Sequence, residues 1–357
     1  MKRLLLGFFL AIILILAVGW WATGMFYPDP VQAEQVTSNT NAPILKTDQV
    51  IKVMSWNVQF MTGNKNNHFF YDRGTDSFPE EAINHQTIAD VARVIIEENP
   101  DVVMLQELDQ NSRRTHYIDE FAELRALLPK EYQAYSCTLY HKINFLPSMA
   151  MPGRITFQLC TLSKYRINKA IRYALPSTLN VDFFTQQFQL KRAILQTDLP
   201  IENGQSLTVF NTHLSAFAAG TNTLDIQANI ANDLLLNAEK QGPALLAGDF
   251  NSLSSAKLIN SSPADERSMY KQDPVAIASL IKNFTMFPTI AELSGPNAKQ
   301  WLTHMPSVDH SHTPAIAIDY MFISKQLTFQ NHYVKQQNTG HISDHFPLVA
   351  DIKLPDK

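Results

Sequence analysis

The stretch Gly248-Asp249-Phe250-Asn251 closes an apolar run, Ala244 to Ala247, with a carboxylate and an amide two residues apart. Residues i and i+2 share a face of a strand, so both groups would point to one side of a strand exit. Asp and Asn also build turns by bonding their own backbone, so this pair alone leaves an ordinary reading open. The same types recur where other apolar runs begin or end: Asn57 after Trp56, Glu107 after Leu105-Gln106, Asn211 and His213 in Asn-Thr-His-Leu, Asp319 before Tyr320, and Asp344-His345 before Phe346. Taken singly, each has a plain explanation as a turn former, a solvated strand end or a satisfied core histidine. Together they are carboxylates, amides and two histidines with no thiolate, which suits a hard cation such as Mg²⁺ or Mn²⁺ and not a structural zinc. Such a cation beside histidines is equipment for phosphoester hydrolysis. The metal neutralises phosphoryl oxygens, a histidine takes a proton from water, and a carboxylate orients that histidine.

Positioning these groups requires many strands. Short β-like runs follow from Val50 onward: "VIKVMSWNV", "DVVMLQEL", "RITFQLCTLS", "KRAILQTDL", "SLTVFNTHL", "ALLAGDF", "AIDYMFIS" and "PLVADIKL". "DVVMLQEL" has the continuous apolar character of a strand buried on both faces. Ile88, Val91, Ala92, Ile95 and Ile96 recur at helical spacing before Asn99-Pro100, and Ile230 and Leu234 do so before Gly242-Pro243. Buried strands with interspersed helices imply an α/β (α+β) fold, a four-layer sandwich of two packed mixed β-sheets flanked by helices. One catalytic domain over residues 50–357 accommodates them all.

The chain has 357 residues, 45% of them hydrophobic and 17% charged, as a well-cored globular protein requires. Its net charge of -4 lacks the basic excess of a protein that holds long nucleic acid by its phosphates. After Lys2-Arg3, residues 4–26 carry no charge and are long enough, at about 1.5 Å per helical residue, to cross a bilayer. The flanking charges, Lys2 and Arg3 before and Asp29 and Glu34 after, place the bulk of the chain on the extracytoplasmic side. A cleaved signal peptide ending at Val31-Gln32-Ala33 is the rival reading, but the apolar run exceeds the usual core of such peptides. Residues 27–49 read as a flexible tether. Cys137 and Cys160 lie in segments suited to a hairpin, and either a disulfide or two buried thiols fits.

"SWNV", "DVVMLQEL", "NTHLS", "LLAGDFNS", "AIDYMFIS" and "SDHFPLVADI", in this order, resemble the endonuclease/exonuclease/phosphatase superfamily, with its deoxyribonuclease I-like fold, over residues 50 to 353. The resemblance implies a Mg-dependent phosphodiesterase. In it Glu107 would be the principal metal ligand, with Asn57 and Asp344 assisting at the metal. Asp249 and Asn251 would lie across the scissile phosphate, His345 would be the general base oriented by Asp319, and His213 would stabilise the transition state. Asn211 joins this set as a substrate-binding candidate. His213 in its Asn-Thr-His-Leu context is similar to the sphingomyelinase-like bacterial branch. Arg166 stands where the family often has proline.

The anchor, the acidic balance and the apolar stretches "NFLPSMAMPG" and "FTMFP" lean toward a membrane lipid as substrate, with the protein acting as a monomer. Extracytoplasmic nucleic acid is the alternative substrate, for which Arg113-Arg114 and Lys191-Arg192 are candidate phosphate contacts unless they are simply solvated charge. A non-catalytic binding relative would be expected to lack one of Glu107, Asp249, Asn251, Asp319 or His345, and all are present. His304, Asp309, His310 and His312 offer a second metal cluster by composition, although loop spacing fixes no coordination geometry.

Overall fold

Two parallel strand pairs, one in each of two sheets, set the architecture. The computed structural model describes residues 2–63, 78–148, 152–177, 182–216, 220–261, 275–305 and 313–356. Its strands are β1 Val31–Ala33, β2 Val36–Ser38, β3 Val50–Asn57, β4 Val102–Asp109, β5 Ala134–Leu146, β6 Gly153–Ser163 and β7 Lys169–Ala174. They continue with β8 Ala193–Pro200, β9 Ser206–His213, β10 Ala244–Asp249, β11 Thr285–Phe287, β12 Asp319–Ile323, β13 Thr328–Val334 and β14 Leu348–Lys353. One sheet has the order β1-β7-β8-β9-β10-β12-β11 and the other β13-β14-β3-β4-β6-β5-β2.

Within each sheet the central pair is parallel, β3 with β4 and β9 with β10, and the other pairings are antiparallel. A parallel pair needs a crossover, and helix supplies it in both cases. Helix α1 spans Lys2–Ala22, α2 Glu81–Glu98, α3 Glu120–Leu127, α4 Phe183–Phe188 and α5 Thr223–Glu239. α2 connects β3 to β4, and its Ile88, Val91, Ala92 and Ile95 pack against Met54, Trp56, Val103 and Leu105. α5 does the same between β9 and β10, with Ala228, Ala231 and Leu235 against Phe210 and Leu246. Val53, Met104, Val209, Leu245 and Met321 meet between the sheets. Each fully buried side chain of this kind contributes roughly 1.5–3 kcal/mol. The result is the expected arrangement of two mixed sheets flanked by helices.

Three expectations need correction. The apolar helix stops at Ala22, short of Phe26. Gly24 then adopts φ +74, and a Cβ on it would come within 2.5 Å of the Lys142 carbonyl oxygen, so the chain turns closely against β5. Residues 27–49 are no tether: β1 pairs with β7 and β2 with β5, closing one open edge of each sheet. The bare backbone groups of those edges are what make two three-residue strands worth forming. "FTMFP" is interior structure and no membrane loop, since Phe284, Met286 and Phe287 are buried where β11 pairs with β12.

Cys137 and Cys160 are directly opposite in the β5–β6 register and form a disulfide, with Cα atoms 4.1 Å apart. The hairpin register thus decides between the two readings of the cysteines.

Candidate active site

Parallel strands carry their functional residues at their carboxyl ends, outside the sheet. Here β3 ends on Asn57, β9 on His213 and β10 on Asp249, while Glu107 lies near the end of β4. The antiparallel neighbours bring their starts to the same edge: Asp319 begins β12 opposite Asp249, and His345 precedes β14. Both sheets therefore deliver their polar ends to one cleft, so residues from 57 to 345 meet without a long loop.

Two backbone departures aim the side chains. Glu107 has φ +59, and the β4–β6 register shifts between Leu105 and Leu108, the mark of a β-bulge that redirects a side chain. A non-glycine residue in the left-handed region carries strain that the surrounding ladder must hold in place. At the opening motif, Gly248 (φ +148) passes so near β9 that a Cβ would lie 1.9 Å from the Thr212 carbonyl oxygen. Only glycine lets β10 approach there, which places Asp249 beside His213.

Asp249 is the hub. Its Oδ2 accepts from Asn57 Nδ2 at 3.1 Å and lies 3.3 Å from His213 Nε2 and 3.7 Å from His345 Nε2. Its Oδ1 accepts from the Asn251 backbone N–H at 2.8 Å. His345 Nδ1 lies 2.8 Å from Asp319 Oδ2, which also accepts from the Thr303 hydroxyl at 2.7 Å. Trp56 Nε1 donates to the His345 carbonyl at 2.9 Å, fixing the backbone behind the ring. With Nδ1 engaged, Nε2 of His345 faces the cleft.

The electrostatics follow from burying like charges together. Desolvation and the nearby Asp344 carboxylate push Glu107 above its ordinary pKa. Burial pushes Asp249 up to about 7. Asp344 is likewise raised, chiefly by burial. Burial works against charge on the His345 ring, but Asp319, Asp344 and Asp249 outweigh it, and its pKa lies well above the usual histidine range. His213 goes the other way: burial, Arg192 and His345 hold it neutral. A crowd of carboxyl oxygens that resist ionising together is the donor set a hard divalent cation would relieve. Among the described residues, two clusters have ligand atoms close enough to share one ion, His304 with Asp344 and His345, and Asp249 with Asp319 and His345.

Most of the expected residues converge, but Asn211 does not reach the cleft. It is fully buried between the sheets, where Oδ1 accepts from Gln106 Nε2 at 2.8 Å and Nδ2 donates to the Leu105 and Cys160 carbonyls at 3.1 and 3.0 Å. It is a strap joining the two sheets, not a substrate contact. Asn57 also differs from expectation in its orientation, since its Oδ1 accepts from the Gln59 N–H at 3.1 Å while Nδ2 points to the centre. Asn251 stands at the rim with φ +47, its Nδ2 donating to the Leu214 carbonyl at 3.1 Å.

Of the paired arginines, Arg114 is buried structure: it forks onto Asp109 at 2.7 and 2.8 Å between the rings of Phe60 and Phe157. Arg192 is buried too, beside the Tyr140 ring, with Nη1 3.4 Å from the His213 carbonyl. His304 does enter the site, its ring centroid 4.5 Å from that of His345, whereas Asp309, His310 and His312 lie outside the described residues. Thr303 and Tyr140 were not singled out by sequence. A threonine and a strand tyrosine carry no signal there, and only the fold shows Thr303 on Asp319 and the Tyr140 hydroxyl 3.5 Å from His213 Nδ1.

Against known proteins, the model of the Endonuclease/Exonuclease/phosphatase family matches residues 54–345. An endonuclease/exonuclease/phosphatase from Beutenbergia cavernae superposes with a TM-score of 0.58 at 21% identity, covering 86% of this chain and 72% of the other. The human Nocturnin catalytic domain, solved with a bound sulfate anion, gives 0.52 at 17% identity, covering 90% and 97%. At those identities the likeness is one of fold. A UPF0294 protein of Vibrio campbellii is 26% identical over 169 residues, 47% of this chain and 48% of that one. The chain thus matches about half the length of its curated relatives.

Proposed function

Because the chain belongs to the endonuclease/exonuclease/phosphatase family, a family of phosphoesterases, we propose that it hydrolyses a phosphodiester by in-line attack of a water that His345 deprotonates. The observation that carries the reading is the 2.8 Å contact of His345 Nδ1 with Asp319, which leaves Nε2 facing the cleft beside Asn57 and Asp249. Glu107 and Asp344 would hold a divalent cation, Mg²⁺ or Mn²⁺, whose charge neutralises phosphoryl oxygens and offsets the carboxylates that otherwise keep His345 protonated.

The chain's own groups divide the remaining work. Asp319 fixes the His345 tautomer, and Thr303 fixes Asp319. Asp249, whose carboxyl burial pushes up to about 7 in the metal-free site, stands where it can give a proton to the leaving oxygen. Neutral His213 and the Nδ2 of Asn57 donate to phosphoryl oxygens as negative charge develops there. Asn251 orients the attacking water at the rim.

We assign α1 as a membrane anchor with the catalytic domain on the extracytoplasmic side, and a lipid phosphodiester as substrate. Helix α1 is of membrane-spanning length and apolarity and is 0% buried. Cleavage after Ala33 would remove β1, which counts against a signal peptide. A disulfide suits an oxidising compartment. The catalytic domain then begins near residue 27.

The test is EDTA-sensitive release from sphingomyelin or phosphatidylcholine vesicles and from plasmid DNA in parallel. Vesicle cleavage that fails in His345→Ala supports the reading. DNA nicking alone replaces the lipid by nucleic acid, and activity that ignores EDTA removes the metal.

A further inference from the structure

The β5–β6 hairpin stands beyond the edge that holds the catalytic groups. Near the bulge at Glu107, Leu108 of β4 pairs with Gln158 of β6 and Asp109 with Phe157. The same two β6 residues face Leu139 and His141 of β5. β5 runs parallel to β4 across the sheet, so residues 142–146 continue past the cleft floor. Five residues at about 3.3 Å each carry the tip roughly 15 Å above it.

The membrane-length helix ends at that tip. Asn144 Nδ2 donates to the Trp21 carbonyl at 3.0 Å, and Gly24 abuts the backbone of Lys142 and Ile143. On the other side, the Tyr27 hydroxyl donates to Gln187 of α4 at 2.7 Å, while its ring stacks on Trp20 at 5.5 Å. α4 in turn leads into an open pocket of about 270 Å³ lined by Phe188, Gln189, Leu190, Arg192, Ser215 and Ala216, and Arg192 connects it to the His213 carbonyl at 3.4 Å. Apolar side chains surround the helix exit in the open: Met25 51%, Tyr27 50%, Phe145 42% and Phe183 65% exposed.

We infer that the catalytic cleft opens toward the bilayer, with Phe145 and Phe183 seated in its interfacial layer, so that the substrate is a phosphodiester displayed at the membrane surface. This rests on the reading of α1 as a membrane anchor. The occupant of the apolar surface is the lipid itself, because the helix that must enter the bilayer leaves the domain from the middle of that surface. Tryptophan and tyrosine prefer the membrane–water boundary, which sets Trp20, Trp21 and Tyr27 at the same depth as the tip. The hairpin then acts as a spacer holding the cleft floor roughly 15 Å from the boundary. Because the headgroup layer is only about 5–8 Å deep, the phosphodiester that reaches the floor is one carried partly out of that layer, on a large headgroup or a lipid lifted into the cleft.

The experiment uses the full chain in proteoliposomes. A nitrobenzoxadiazole probe is placed at Phe145→Cys, Phe183→Cys or, as a control at the far end of β3, Val50→Cys, with the native disulfide kept oxidised. Lipids carrying a shallow nitroxide should quench the probes at 145 and 183 at least threefold more than the probe at 50. In parallel, Phe145→Ser/Phe183→Ser should lower the initial rate on a vesicle-borne lipid phosphodiester at least fivefold. The rate on soluble bis(p-nitrophenyl) phosphate should stay within twofold.

Equal quenching at all three positions in protein that resists carbonate extraction overturns the orientation while leaving the anchor intact. Protein that washes off in carbonate removes the anchor and the inference with it. Equal rate losses on both substrates overturn the docking role of the two phenylalanines. Selective quenching with turnover of the soluble ester alone overturns the membrane-displayed substrate and keeps the orientation.

Discussion

Asp249 of β10 lies directly opposite Asp319 of β12 in the antiparallel register. Like charges across a strand pair destabilise a sheet by up to about 1 kcal/mol, and these two are also buried. Asp249→Asn should therefore raise the thermal midpoint of the metal-free protein while lowering turnover at least a hundredfold. The sign with pH follows from the raised pKa of about 7. An unfolded aspartate ionises near pH 4, so between roughly pH 4 and 7 the native state loses stability as pH rises. The gain from removing the carboxylate should thus be larger at pH 8 than at pH 5, and a smaller gain at pH 8 would refute the burial argument.

Glu107 is held in a left-handed bulge with Oε1 3.7 Å from His213 Nδ1, and burial and the Asp344 charge raise its pKa. Glu107→Gln keeps the shape and removes the charge, so the Mg²⁺ concentration for half-maximal activity should rise at least tenfold. Calorimetric titration with Mg²⁺ should show the same weakening. An unchanged titration would take Glu107 out of the metal site.

His141 is buried in β5 near Arg114, Arg192 and Lys191, and burial first, with those cations, lowers its pKa to about 3. The unfolded histidine takes a proton below about pH 6.5 and the native one does not, so stability is lost as pH falls from there toward 3. Between pH 7 and 5 this group alone costs about 2 kcal/mol. His141→Asn should flatten the dependence of the thermal midpoint on pH across that window. A slope equal to that of the wild type would place the titration elsewhere.

Gly248→Ala drives a methyl group into the Thr212 carbonyl, a backbone atom with no freedom to yield. The expected loss is about 3 kcal/mol or more, and failure to recover folded protein is consistent with it. Gly204 also has positive φ, at +86, but nothing within 4 Å of the added Cβ, so Gly204→Ala should cost only about 1 kcal/mol. Similar losses at the two sites, read by thermal unfolding, would mean that φ alone decides and the close approach does not matter.

The strands and their polar ends were legible because buried strands read as apolar runs and polar exits interrupt them. Asn211 shows the limit of that reading: it has the same residue type and a similar position, yet its neighbours in space, Gln106 and Cys160, belong to the other sheet. The strands at Val31–Ala33 and Val36–Ser38 were hidden because their reason for forming lies in the edges of β7 and β5, far along the chain. Arg114 and Arg192 looked like surface cations until the aromatic rings around them were placed.

Two short strands that follow helix α1 also govern how the domain behaves when separated from that helix. A chain started at residue 40 leaves the backbone donors and acceptors of β5 and β7 unpaired, two templates for another copy to add a strand. Such a fragment should self-associate edge to edge, whereas one started at residue 29 keeps both edges covered. Proteolytic shedding from a membrane would obey the same boundary, yielding a dispersed enzyme from cuts between Ala22 and Val31 and an aggregate from cuts a few residues later.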